Sequence, residues 1–212
     1  GDHRDLHLSL RRQRQMCIRD RKMALWGISD SDESKPKWLT DAKKKEVYAT
    51  ASGWVQENPK TGATDEVLVA IKSLATGIGA ADITEIEWIT TAADKSDGFS
   101  LSVRARFNEE VTVDTSGGTP YLAVTNGNQG TGSGRGPHNL PYASGTGTNE
   151  LVFTLAIAAG NAATNADDVL TVGANAMNLN SGTIKDKGTN TNATITNSGA
   201  IGTAAGSITV TA

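Results

Sequence analysis

"TNELVFTLAIAAGNAATNADDV", residues 148–169, decides the fold class. Leu151, Phe153, Leu155 and Ile157 alternate with Val152, Thr154 and Ala156. A period of two sends successive side chains to opposite faces, the mark of a strand with one face in a core. A helix would need apolar residues at i, i+3, i+4 and i+7, and beyond Ile157 only Ala and Gly remain to build that stripe. The stretch therefore reads as a strand followed by a loop that carries Asp167 and Asp168. The pattern recurs at 99–107, "FSLSVRARF". There Phe99, Leu101, Val103, Ala105 and Phe107 face one way, and Ser100, Ser102, Arg104 and Arg106 face the other.

Two strands cannot offset the backbone entropy of so long a chain. Val111, Val113, Leu122, Val124, Leu170, Val172, Met177, Leu179, Ile184, Ile195, Ile208 and Val210 are expected to complete the core. The 23 glycines among 212 residues separate many short apolar runs by Gly/Asn/Thr turns. That spacing predicts an all-β fold, a β-sandwich over 81–212. No run of 18 apolar residues occurs, so no membrane span is expected. The single cysteine, Cys17, excludes an internal disulfide.

Residues 1–22 differ from the rest. They hold six Arg and one Lys against three Asp, a balance of +4, and have no apolar segment of the secretory kind. "QMCIRDR" within them closely resembles translated adapter sequence at the ends of reading frames assembled from environmental DNA. The expectation is a disordered, non-native extension, with Met23 as the first native residue. Residues 23–212 then carry 13 basic and 20 acidic residues, a balance of −7, which argues against nucleic-acid binding by bulk charge.

Residues 23–80 form a small N-terminal part. "TDAKKKEVY" suits one or two helical turns capped by Thr40 or Asp41. Val47–Gln56 and Val67–Ile71 read as one hairpin around Pro59 and Gly62. Gly77 and Gly79 form a hinge into the sandwich. So small a part buries little surface. Trp38, Tyr48 and Trp54 are therefore expected to serve as docking residues, since aromatic side chains anchor protein interfaces.

Motifs for chemistry are sparse. Asn161, Asn165, Asp167 and Asp168 are the candidate calcium ligands, but the EF-hand ladder is missing and a solvated loop is the ordinary reading. Glu109, Glu110 and Asp114 are placed at a strand end and a turn. The Gly-rich loop "NGNQGTGSGRGPHNLP" does not match the phosphate-binding pattern. It reads as an exposed loop with Arg135 and His138 as contact residues. No His or Cys spacing suits zinc. Neither a catalytic constellation nor a cofactor is expected.

"FSLSVRARFNEEVTVDTSGGTPYLAVTNG", "YASGTGTNELVFTLAIAAGNAATNADDVLTV" and "AMNLNSGTIKDKGTN" together resemble the Ig-like repeats of bacterial surface and adhesin proteins. "MALWG", "KPKWLTDAKKKEVYATASGWV" and "DEVLVAIKSL" resemble the start of virion structural proteins of tailed phages of marine bacteria. The resemblances imply a non-enzymatic virion protein that docks through residues 23–80 and displays an Ig-like sandwich. Its partners would be other virion proteins or its own copies, with room for a host surface glycan. The alternative is a fragment of a bacterial cell-surface adhesin.

Overall fold

The computed structural model describes residues 35–60, 62–128, 137–161 and 163–212. The extension 1–22 and Arg135 lie outside them. Twelve strands and three short helices among the described residues make the chain all-β. The chain divides into two compact units, Gly1–Gly79 and Ala80–Ala212.

In the first unit, helix α1 (Asp41–Lys45) begins where the Thr40 hydroxyl accepts a hydrogen bond from the Lys43 amide at 3.3 Å. Asp41 in its first turn and three lysines at its end suit the helix dipole. Strands β1 (Val47–Thr50), β2 (Gly53–Gln56) and β3 (Glu66–Ala70) follow as an antiparallel meander. This corrects the expectation of a single hairpin, because residues 47–56 are two strands. Ala51 and Ser52 turn the chain, and Gly53 takes φ +136°. A Cβ on Gly53 would lie 1.9 Å from the Val69 carbonyl oxygen, so only glycine fits there. After helix α2 (Leu74–Gly77) the unit ends. Val47, Ala49, Trp54, Ile71 and Leu74 form its buried core, with Leu39, Leu68, Val69 and Ile78 packed against them.

The second unit is organised by three early strands. These are β4 (Ile83–Trp88), the short β5 (Ala93–Asp94) and the 16-residue β6 (Phe99–Asp114). The remaining strands are β7 (Tyr121–Asn128), β8 (His138–Ser144), β9 (Thr148–Ile157), β10 (Asp168–Asn178), β11 (Thr183–Asp186) and β12 (Ser207–Thr211). On one side β6 pairs with β9, from Phe99 opposite Ile157 to Arg106 opposite Glu150. On its other side it pairs first with β4 and then, beyond Val111, with β11. From β9 the order continues β8, β7, β10, β12 and β5. The last pair is parallel, with Val210 opposite Ala93.

All of these strands feed one core. Leu101, Val103, Phe107, Leu122, Leu151, Phe153, Leu170 and Val210 are buried in it. The alternation at both sequence stretches holds, although Phe99 and Leu155 are only partly buried. Helix α3 (Gly199–Ala204) is capped by the Ser198 hydroxyl. Gly202 lets this helix lie against β10, since a Cβ there would come 2.3 Å from the Val172 carbonyl oxygen.

Candidate functional site

Three polar clusters with buried members stand out against this apolar core. The first lies on the outward side of β6. Register sets it: Arg106 stands opposite Glu85 on β4 and Glu150 on β9, while Arg104 stands opposite Glu87. Cross-strand neighbours at such positions are close enough to pair. Arg106 Nε donates to Glu150 Oε1, and its Nη1 lies 3.2 Å from Glu85 Oε2 and 3.6 Å from Glu87 Oε1. Arg104 reaches Glu87 at 2.7 Å and Glu150 at 3.3 Å. Burial pushes the Glu87 carboxyl up, but the Arg104 hydrogen bond and the charges of both arginines outweigh it, so its pKa lies below the usual value.

The second cluster joins Glu109 and Asp186. Glu109 is 1% exposed and Asp186 fully buried. One carboxylate oxygen of Asp186, Oδ1, accepts from the Gly188 amide at 2.6 Å and the Thr189 amide at 3.0 Å. The turn after β11 wraps back on itself, with the Asn190 amide donating to the Asp186 carbonyl at 2.8 Å. No donor reaches Asp186 Oδ2 or either oxygen of Glu109. Burial, the Asp186 charge, a hydrogen bond to Asp186 and the Asp82 charge push Glu109 up to about 8. Glu109 is therefore protonated, and its hydroxyl donates to Asp186. The expected placement of Glu109 and Glu110 at a strand end is corrected: both lie inside β6.

The third cluster collects residues that the sequence places apart. Asn126 on β7, His138 on β8, Thr164 in the loop between β9 and β10, and Asp168 on β10 are all buried. His138 Nε2 lies 3.4 Å from Asn126 Nδ2 and 3.3 Å from Thr164 Oγ1. Both contacts suit a neutral ring accepting at Nε2. Burial lowers the His138 pKa, and the Asp168 charge opposes that shift without cancelling it. Asp168 Oδ2 accepts from the Asn165 amide at 2.7 Å. The expectation of His138 as an exposed contact residue is therefore corrected, because it opens β8 on the inward side with Leu140.

Asp168 is likewise no solvated loop residue, while Asp167 beside it is exposed at φ 66°. The four candidate calcium ligands are not gathered on a common point. Asn161 Oδ1 accepts from the Ala163 amide and Asn165 Oδ1 from Lys95 Nζ. Among the described residues no group of three or more His, Cys, Asp or Glu side chains is arranged to hold a metal ion.

In the first unit the three docking candidates separate. Trp54 is fully buried and Tyr48 nearly so, with its hydroxyl 2.6 Å from Asp65 Oδ2. The unit thus buries them in its own core, which corrects the expectation that it is too small to do so. Trp38 is 65% exposed. Val67 on β3, read from the sequence as a strand residue and not as a docking one, is 54% exposed.

Compared with known proteins, the chain matches no family model, no curated protein and no solved structure. Among the described residues no helix is long and apolar enough to cross a membrane.

Proposed function

We propose that this protein is a non-enzymatic structural component of a tailed-phage virion. Its N-terminal unit attaches to the particle, and its larger all-β unit, read as an Ig-like sandwich, is displayed outward. The observation that supports this most is the division of the chain. The boundary after Gly79 falls between the segment that resembles phage virion proteins and the segment that resembles Ig-like repeats. Each unit has its own buried core, so attachment and display are separable tasks. Among the described residues of the first unit, Trp38 and Val67 are the large apolar side chains left exposed, and they take the docking role in place of Tyr48 and Trp54. Partners are other virion proteins or further copies of this chain.

Co-sedimentation with particles that lack this protein tests the reading. Trp38→Ser with Val67→Ser, in the full chain, should weaken attachment about tenfold, since an interface anchor contributes more than about 1 kcal/mol. Residues 80–212 alone should stay in the supernatant. Attachment of that unit as strong as that of the whole chain would overturn the assignment.

A further inference from the structure

We propose that Glu109 and Asp186 form a binding site for a divalent cation of the calcium type. Counting oxygens carries the argument. Glu109 Oε1 and Oε2 and Asp186 Oδ2 are buried with no hydrogen-bond donor. Asp186 is held in place by the two turn amides on its Oδ1, which leaves Oδ2 as the oxygen available to a ligand. A buried acceptor without a donor is costly, and a buried charge without a counter-charge more so. One proton shared by the two carboxyls supplies one donor oxygen and one acceptor oxygen, so the third oxygen stays unserved. One divalent cation serves all three and cancels both negative charges.

Among the described residues no lysine or arginine donates to these three oxygens. Lys187, adjacent to Asp186, places Nζ 3.1 Å from Glu110 Oε2 and 3.1 Å from the Gly147 carbonyl oxygen. Arg106 is committed to Glu85, Glu87 and Glu150. An all-oxygen, carboxylate-rich set favours a hard cation over zinc. Calcium accepts a bidentate carboxylate and irregular geometry, whereas magnesium demands a near-ideal octahedron. Main-chain carbonyls and water would complete the shell. With only two carboxylates the affinity belongs to the weak class, about 10⁻⁴–10⁻³ M. The site is distinct from the exposed Asp167 and from Asp168 on β10.

The test uses the full chain, with calcium titrated calorimetrically and melting followed in calcium, magnesium and EDTA. Calcium should give a saturable binding heat and raise the melting temperature by several degrees, with magnesium weaker. Glu109→Gln and Asp186→Asn should each abolish both effects; Asp186→Asn keeps the Oδ1 acceptor that the turn amides use. Asp168→Asn should leave them intact. No saturable heat in the wild type at millimolar calcium would overturn the site and leave a shared-proton pair. That measurement decides even where a variant does not fold. Calcium binding that survives Asp186→Asn and Glu109→Gln together would overturn it as well.

Discussion

Arg106 and Glu109 stand close together on β6, both almost fully buried, yet one is surrounded by opposite charge and the other by like charge. Arg106 lies on the face where register brings Glu85 and Glu150 directly across. Glu109 shares the inward parity of Phe107 and Val111, and the group it meets is Asp186. Burial alone therefore does not set the state of a charged side chain. The parity of the strand and the identity of the cross-strand neighbours decide whether the charge is kept, protonated or handed to a ligand.

The largest effect is expected from removing the compensated cation. Arg106→Ala should cost about 3–5 kcal/mol in urea denaturation, because it takes the deepest cation away from buried Glu85 and partly buried Glu150. Arg106→Met combined with Glu85→Leu should recover part of the loss, since an apolar pair needs no counter-charge. A cost near zero for the single substitution would mean that the outward face is open to water.

The uncompensated acid comes next, in calcium-free buffer. Glu109 loses its proton near 4.5 when unfolded and near 8 when folded. Between those values the folded chain holds a proton that the unfolded chain has released. Stability should then fall as pH rises from about 4.5 to about 8, by at most about 1.4 kcal/mol per pH unit, and level off above. Glu109→Gln should flatten that slope while leaving the fold intact. Denaturation series of the two proteins across this window measure it directly. An identical slope in both would place the pH sensitivity elsewhere.

The His138 cluster responds to pH with the opposite sign. Its pKa is lowered chiefly by burial, so the unfolded chain takes up a proton first as the solution acidifies. Its contribution to stability is present above the ordinary value of 6.5 and is lost as pH falls through the lower folded value. His138→Gln should remove this acid-side loss. The effect should be smaller than the Glu109 slope, because the Asp168 charge offsets part of the burial.

Much of the fold was legible because alternation is a direct readout of strand facing. Leu151, Phe153 and Ile157 are buried as their parity demands, as are Leu101, Val103 and Phe107. The same parity could have found the acid pair. Glu109 follows Phe107 in the inward phase, and Asp186 follows Ile184. Placing Glu109 and Glu110 at a strand end hid that phase. His138 and Asp168 were misplaced for another reason: each opens a strand beside a glycine- or alanine-rich loop, where local composition looks solvated. The gathering of His138, Asn126, Thr164 and Asp168 depends on strand order, which no local pattern encodes. The turn at Ala51–Gly53 was missed because its neighbours keep an alternating pattern through it.

The smallest expected effect tests the comparison most finely. Arg104 shares its strand face, charge and Glu150 contact with Arg106. The two differ in depth: the Arg104 side chain is 31% exposed and that of Arg106 10%. Water screens the shallower pair and can replace its partner when the pair is broken. Arg104→Ala should therefore cost about 0.2–1 kcal/mol, and high salt should erase most of that cost. The Arg106→Ala cost should persist in the same salt, because a desolvated charge lies beyond the reach of mobile ions. Denaturation of both variants at low and high ionic strength gives four numbers for the pair. Equal costs, or equal salt dependence, would show that depth is not what separates these arginines.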